Sequence, residues 1–259
     1  MHLPIFPDSN YCAAVGASAL ESANVVGYQE VSLVAGAKAL ASGFLEIGTN
    51  GVNLTSIVPK GYGDKCNGTI NIQRLAADGT TADMWKWYDG QTAGKFKGKT
   101  GWFIGSSTTQ VTSENDVTFV SGEGLWVTGL DGASITFSGE VPKGNFSFLL
   151  VAGAKMIGNP YPASFNLSAV TPSGYGDKCN GTINIQRLAA DGTTADMWKW
   201  YDGQTAGKFK GKTGWFIGSS TTQVTSESDV TIAAGEALWV TGNGGETLTI
   251  PAPTGIAAE

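Results

Sequence analysis

Paired tryptophans are the side chains in this sequence best suited to ligand chemistry. Trp85 and Trp87 alternate within the run ADMWKWY at positions 82–88, and the same run recurs later in the chain with Trp198 and Trp200. On a β-strand, alternate side chains project from one face about 7 Å apart, a spacing that suits stacking on sugar rings. Such rings also fill sheet cores or contact a second subunit, so these interpretations stay open. The candidate ligand or subunit contacts are Trp85, Trp87, Tyr88, Trp198, Trp200 and Tyr201.

Lysines form a second candidate surface. Lys95, Lys97 and Lys99 alternate in the run GKFKGK, and a strand over residues 94–99 would point all three ammonium groups away from Phe96. Lysine rows are typical of edge strands, where they discourage unwanted pairing. An anion-binding face is the alternative interpretation.

Groups for catalysis or metal binding are few. The single histidine, His2, has no repeat counterpart, which excludes Ser-His-Asp, Cys-His and His-metal arrangements within a repeat. Carboxylates could pair as in a glycosidase, from Asp78, Asp83 and Asp89 in one copy and Asp191, Asp196 and Asp202 in the other. Asp78 and Asp83 could also bind calcium together with the carbonyls of Thr80 and Thr81. However, Asp78 and Asp89 each precede a glycine, which is typical of turns. We predict no enzymatic activity, no cofactor and no metal site.

The cysteines leave their oxidation state open. Cys66 and Cys179 are repeat equivalents, and a disulfide between them requires that the two copies of that site meet. Free, half-buried thiols are the alternative, and the third thiol, Cys12, could form an intermolecular bond.

These residues lie in a sequence that is present twice. The stretches 61–114 and 174–227 are identical letter for letter, and similarity continues on both sides. VAGAK at 34–38 recurs at 151–155, which implies a four-residue length change in the loop that follows. A period of domain size predicts two copies of one domain. Recent exchange between the copies explains the abrupt edges of identity, so identity does not mark a site.

Short alternating segments between glycine-containing turns predict an all-β fold. Within one copy we expect strands over residues 25–34, 38–47, 69–75, 82–88, 94–99, 101–105, 116–120, 124–128 and 133–137. Trp126 and Trp239, in LWV runs, are expected to be core residues. The prediction is two tandem domains resembling β-sandwiches or jelly rolls, related by internal duplication, over residues 24–140 and 141–259.

Residues 1–23 are predicted to be an N-terminal arm or the remnant of an export signal. Ala17-Ser18-Ala19 resembles a cleavage site, but the segment lacks a basic start and contains prolines. As an arm it could add a strand to a sheet edge. The residues expected to make that contact are Pro4, Ile5, Phe6, Tyr11 and Cys12.

Charge and hydropathy limit the partners. The net charge of −6 and the pI of about 4.8 argue against a nucleic-acid partner. No stretch approaches the roughly 20 apolar residues of a membrane span.

Several phrases resemble those of secreted bacterial proteins with tandem β-rich repeats and unsettled function. Residues 23–28, ANVVGY, match an A-N-x-V-G-Y opening, and residues 63–65 match a G-D-K turn. Residues 122–127, GEGLWV, match G-x-G-[FL]-W-V, and residues 158–162 match G-N-P-Y-P. The second copy departs with Ala237 for the second glycine, and the first lacks G-N-P-Y-P. The resemblance implies an exported protein without known catalysis.

Two functional hypotheses follow. The leading one is a non-enzymatic extracellular or cell-surface protein that assembles with itself into a filament or surface layer through domain contacts and the arm. The alternative is a carbohydrate-binding module or adhesin that uses the paired tryptophans.

Overall fold

The chain folds into antiparallel β-sheets, which confirms the all-β prediction. A computed structural model describes residues 11–14, 26–41, 51–76, 78 and 80–253. Apart from strands, these residues include two short 3-10 turns, Leu54–Ser56 and Leu167–Ala169.

The strands fall into two series. The first is β1 Tyr11–Ala14, β2 Val26–Ser32, β3 Gly36–Ala41, β4 Gly51–Asn53, β5 Cys66–Leu75, β6 Thr81–Asp89, β7 Gly101–Ile104, β8 Thr118–Val120, β9 Gly124–Gly129 and β10 Ser134–Glu140. The second is β11 Phe146–Leu149, β12 Ala152–Gly158, β13 Phe165–Asn166, β14 Thr171–Ser173, β15 Cys179–Leu188, β16 Thr194–Asp202, β17 Gly214–Ile217, β18 Thr231–Ile232, β19 Ala237–Asn243 and β20 Thr247–Ile250.

Two five-stranded sheets with the same topology organise the chain. The first has the strand order β3-β9-β5-β6-β7 and the second β12-β19-β15-β16-β17. Each packs against smaller sheets: β1-β2-β10 and β4-β8 for the first, β11-β20-β14 and β13-β18 for the second. We call β1–β10 the first half and β11–β20 the second half; each is sandwich-like.

Each half encloses its own aromatic-rich core. Along β5, Ile70 and Ile72 are fully buried, whereas the alternating Asn71 and Gln73 face outward, as the period of two requires. Trp102 is buried among them, and its indole N–H donates to the Ile57 carbonyl at 2.7 Å. The second core is built in the same way.

One predicted strand is wrong. Residues 95–98 form a turn rather than part of an alternating strand. Gly94 and Gly98 adopt positive φ angles of 75° and 67°, which a continuous strand does not accommodate. The turn directs Phe96 inward, where it stacks on Tyr88 with ring centroids 3.6 Å apart. The predicted row of three lysines on one strand face therefore does not form.

The two halves meet through small residues on β3, β9, β12 and β19. Ala39, Ala41, Met156 and Ala237 form a separate buried cluster between the sheets. A Cβ added to Gly158 would lie 1.8 Å from the Ala41 Cβ, so no larger residue fits without movement.

Backbone contacts across this junction occur in reciprocal pairs. Leu40 forms an antiparallel bridge with Glu236, and Ile157 forms the matching bridge with Glu123. The N–H of Ala41 donates to the Gly235 carbonyl at 3.0 Å, and that of Gly158 donates to the Gly122 carbonyl at 2.8 Å. Exchanging the halves reproduces each contact, which is the pattern of an isologous interface.

This junction predicts the outcome of a double-mutant cycle. Gly158→Ala should destabilise the protein by about 1–3 kcal/mol, because the new methyl group overlaps Ala41. Adding Ala41→Gly should restore part of that loss, because it removes the overlapping atom. Urea unfolding of the two single variants and the double variant measures the coupling. If the changes in the free energy of unfolding are additive, the two positions are not in steric contact.

Candidate functional site

A groove of about 470 Å³ lies between the outer faces of the two five-stranded sheets. Both halves contribute the same kinds of side chain to its walls. The lining residues are Gln73, Leu75, Asp78, Thr81 and Trp126 from the first half, and Gln186, Leu188, Ala190, Asp191, Gly192, Thr194 and Trp239 from the second. Its volume falls in the range of small-molecule sites, roughly 300–1,000 Å³.

The alternation of side chains along β5 determines where the polar wall of the groove lies. Because Ile70 and Ile72 point into the core, Asn71 and Gln73 point outward. The Gln73 side chain donates to Asn71 Oδ1 at 2.7 Å, and its Oε1 accepts from the Thr81 hydroxyl at 2.7 Å. These bonds fix the orientation of the amide.

The second half repeats this ladder. Gln186 donates to Asn184 Oδ1 at 2.9 Å and accepts from the Thr194 hydroxyl at 2.6 Å. The groove is therefore lined by two rigid amides in equivalent positions.

Trp126 and Trp239 line the groove instead of lying in the sandwich cores, so the prediction for this pair is wrong. Both rings are half-buried and pack against the small-residue cluster at the junction. Trp126 lies directly across from Gln73 in the pairing of β9 with β5, and Trp239 across from Gln186 in that of β19 with β15. Neither indole N–H has a hydrogen-bond partner within the described part of the chain.

The aspartates at the groove are turn residues. Asp78 Oδ1 accepts from the Thr80 hydroxyl at 2.7 Å and from its backbone N–H at 2.9 Å. These two bonds hold the pKa of the Asp78 carboxyl below its ordinary value, and the bond from the Thr80 hydroxyl has the larger effect. Asp191 makes the same contacts with Thr193. Both carboxylates are therefore charged acceptors whose second oxygens have no partner in the described residues.

The tryptophans first considered as a sugar platform are buried. Trp85 is 4% exposed and Trp87 is 5% exposed, and both belong to the first core. Trp87 packs edge to face on Trp102 with centroids 5.3 Å apart. Trp198 and Trp200 occupy the matching positions of the second core. Burial thus favours the core interpretation, and these four residues offer no exposed ring face.

Tyr88 and the neighbouring lysines belong to a small aromatic cluster outside the core. Tyr88 stacks on Phe96 and meets Phe103 edge to face. Lys95 donates to the Ser106 carbonyl at 2.5 Å, and the Lys99 ammonium lies 5.6 Å from the Phe103 ring centroid. Lys97 is exposed in the turn. Tyr201 stacks on Phe209 in the same way in the second half.

Two ionic contacts were not found from the sequence. Arg74 donates through Nε to Glu123 Oε1 at 2.5 Å and lies over the Trp85 ring at 5.3 Å. Arg187 and Glu236 form the counterpart at 2.6 Å. Because Glu123 and Glu236 also form the bridges between the halves, these pairs brace the junction next to the groove. The two members of each pair lie far apart in the chain, so no local signal in the sequence indicates them.

Asp89 serves as an acceptor at a turn. It accepts from the Thr100 hydroxyl at 2.6 Å and from the Tyr62 hydroxyl at 2.9 Å, and these bonds lower its pKa. A general acid needs a raised pKa, so this environment does not suit Asp89 to that role. Asp83 forms a peripheral ion pair with Arg74 at 4.0 Å.

The arm and the matching sheet edges differ between the halves. Of the predicted arm, Tyr11 and Cys12 lie in β1, which pairs antiparallel with β2 in the same chain. Pro4, Ile5 and Phe6 lie outside the described residues. β11 is the counterpart of β2, since each pairs with the equivalent strand β20 or β10. Among the described strands, β11 pairs only with β20, so its second edge, which we call the open edge, has no partner in the described part of the chain.

A buried tyrosine fixes the chain next to this open edge. Tyr161 is fully buried, and its hydroxyl donates to the Gly144 carbonyl at 2.5 Å. Burial raises the pKa of Tyr161 to about 12. The chain at Gly144, immediately before β11, is therefore held in place.

Cys66 and Cys179 are each buried in their own half as free thiols. The described residues contain no group of three or more His, Cys, Asp or Glu arranged to hold a metal ion. No helix within the described ranges has the length and apolar character needed to cross a bilayer.

No protein-family model, curated protein or solved structure matches this chain.

The raised pKa of Tyr161 predicts a pH-dependent contribution to stability. Between about pH 10, where an unfolded tyrosine ionises, and about pH 12, the folded state keeps a proton that the unfolded state loses. The free energy of unfolding therefore falls as the pH rises through this window. Tyr161→Phe should remove about 1 kcal/mol of the decline between about pH 9 and about pH 11.

Urea unfolding at the two pH values provides the measurement. Tyr28→Phe, at a residue that is 43% exposed, is the control for loss of a phenol. An unchanged alkaline decline in Tyr161→Phe would contradict the assignment. The lost hydrogen bond to Gly144 should lower stability equally at both pH values, so it does not mimic this effect.

Proposed function

We propose that this chain is a non-enzymatic protein that assembles with itself when β1 of one molecule adds to the open edge of β11 in the next. The observation that carries the proposal is the unequal occupancy of two equivalent edges. β1 covers this edge in the first half, and no described strand covers it in the second. Repetition of one such contact in a head-to-tail sense produces a filament.

The alignment of β2 with β11 specifies the acceptor edge. The Leu33 N–H donates to the Ala133 carbonyl. The equivalent contact in the second half is the Leu150 N–H, which donates to the Glu246 carbonyl. Backbone groups alternate in direction along antiparallel strands. The N–H and C=O groups of Ser147 and Leu149 therefore point away from β20, toward the open edge.

The register of β1 indicates how a donated strand would dock. Cys12 pairs with Tyr28, and Ala13 with Gly27. In the shared VAGAK alignment, Tyr28 corresponds to Asn145 and Gly27 to Gly144. Eleven residues separate β1 from β2, enough to span up to roughly 36–40 Å when extended. This reach suits either pairing within a chain or donation to a neighbour.

The side chains at the two edges favour exchange. Moving β1 from β2 to a neighbouring β11 replaces backbone hydrogen bonds with equivalent ones, so those bonds roughly cancel. The difference lies in Leu149, which is 66% exposed and stands where the first half has Ser32. In this register β1 itself lies opposite residues 143–146, so the arm residues that precede Tyr11 would cover Leu149 and remove apolar surface from water.

The resemblance to exported tandem-repeat proteins supports placing this assembly outside the cell. There, strand donation would join molecules into a filament or surface layer without requiring a second protein.

Removal of either side of the contact tests the assembly. Deletion of residues 1–14 removes the donor, and Ser147→Pro removes an outward N–H from the acceptor edge while leaving the backbone bonds to β20 in place; the side-chain contact of Ser147 with Thr249 of β20 is lost. Both variants should remain monomeric by light scattering at concentrations where the full chain forms fibres in electron micrographs. Ser147→Thr is the matched control and should still assemble. Fibres formed by the deletion variant would show that β1 is not the connector.

Cysteine pairing tests the register of the donated strand. Under mild oxidation Asn145→Cys should form disulfide-linked ladders through Cys12 of the neighbour, because the paired residues lie within disulfide range. Tyr28→Cys should instead trap β1 on its own β2 and give a monomer. Cys66 and Cys179 are buried and should not interfere. Ladders that persist after Cys12→Ser would indicate a different contact.

A further inference from the structure

We propose that the groove between the two halves binds a neutral oligosaccharide. This site is separate from the β1 and β11 contact, and it uses Trp126 and Trp239 rather than the buried pairs on β6 and β16. The inference rests on how ring faces, fixed amides and carboxylates are combined in one cavity.

Each half supplies an equivalent set of binding groups. In the first half, Trp126 lies beside Gln73 on the adjacent strand, and Thr81 follows on the next. In the second half, Trp239 lies beside Gln186 in the same way. Directly paired residues of antiparallel strands have Cβ atoms about 4.5–5.5 Å apart. A sugar ring stacked on either indole would thus have its hydroxyl groups within reach of an amide.

The fixed amides still have hydrogen-bonding capacity. Gln186 uses one N–H on Asn184 and one lone pair of Oε1 on Thr194, which leaves a second N–H and a second lone pair. The free oxygen of Asp191 and the indole N–H of Trp239 add an acceptor and a donor. Sugar hydroxyl groups both donate and accept, so they match this mixed set. Because the amide is already held, little side-chain entropy remains to be lost on binding.

The charge of the groove selects against anions. Asp78 and Asp191 are the charged side chains among its described lining residues, and no lysine or arginine is among them. An anionic glycan would meet two carboxylates without a balancing cation. A small organic cation would find the aromatic rings and carboxylates, but it would leave the amides without partners. The combination therefore favours a neutral, hydroxyl-rich ligand.

Two equivalent half-sites in one cavity indicate the ligand's length. One sugar ring on each indole requires at least a disaccharide, and the groove is open enough for a longer chain to extend beyond it. Binding at both half-sites at once would strengthen a weak single contact through effective concentration.

Titration calorimetry of the full chain with defined saccharides tests the proposal. The probes are the hexasaccharides of β-1,4-glucose, β-1,4-N-acetylglucosamine and mannose, with hexagalacturonate as the anionic comparison and choline as the cationic one. We expect at least one neutral hexasaccharide to bind and the two charged probes not to bind. Absence of heat from all neutral probes at about 1 mM would overturn the proposal. Binding of only a charged probe would overturn it as well.

Variants at the second half-site locate the binding. Trp239→Ala should weaken the affinity for the hexasaccharide by about tenfold or more, because it removes the ring face on which the sugar stacks. Gln186→Leu should weaken it by a smaller factor while keeping the side-chain volume. Tyr28→Ala removes an exposed aromatic ring outside the groove and should leave affinity unchanged.

Trp239 also packs at the junction, so its replacement could disturb folding. Gln186→Leu provides the second test, because its side chain faces the groove rather than the core. Circular dichroism and urea unfolding establish that each variant is folded before titration. Unchanged affinity in Gln186→Leu and in a folded Trp239→Ala would overturn the placement of the ligand in this groove.

Discussion

The close approach of the two five-stranded sheets is the constraint on which the rest of the structure depends. Gly158 faces Ala41 where an added Cβ would overlap, and Gly124 faces Met156 where one would lie 2.7 Å from its Cβ. Small side chains let the backbones form bridges in reciprocal pairs across the junction. Arg74 and Arg187 then hold the glutamates that form those bridges. Larger residues here would separate the sheets and widen the groove.

This junction determines which outward-facing side chains line the groove. On a solvated sheet, outward-facing side chains would not share a binding site. The reciprocal arrangement of the halves brings Trp126 and Trp239 to one cavity. The alkyl and amide groups beside them become the walls of that cavity. In contrast, the outer edges of the smaller sheets differ between the halves. β2 is covered by β1, whereas β11 carries an open edge and the exposed Leu149.

Much of the strand pattern was predictable. The alternation in residues 69–75 and 82–88 correctly predicted parts of β5 and β6, and the Asp78 turn was confirmed. The error at residues 94–99 arose because alternating lysines suggested a strand, whereas two glycines with positive φ produced a turn. The predicted strand over 38–47 is described only as far as Ala41, and β4 was missed because three residues carry too little periodicity.

The sequence by itself determined the all-β class, the exact internal repeat and the alternation that separates inward from outward side chains. It could not determine which outward face another sheet covers, because alternation has the same period on solvated and covered faces. Only the tertiary structure buried Trp85 and Trp87 and brought Trp126 and Trp239 to a shared groove. The physical reason is that contacts between residues far apart in the chain depend on how whole sheets pack, which no local pattern encodes.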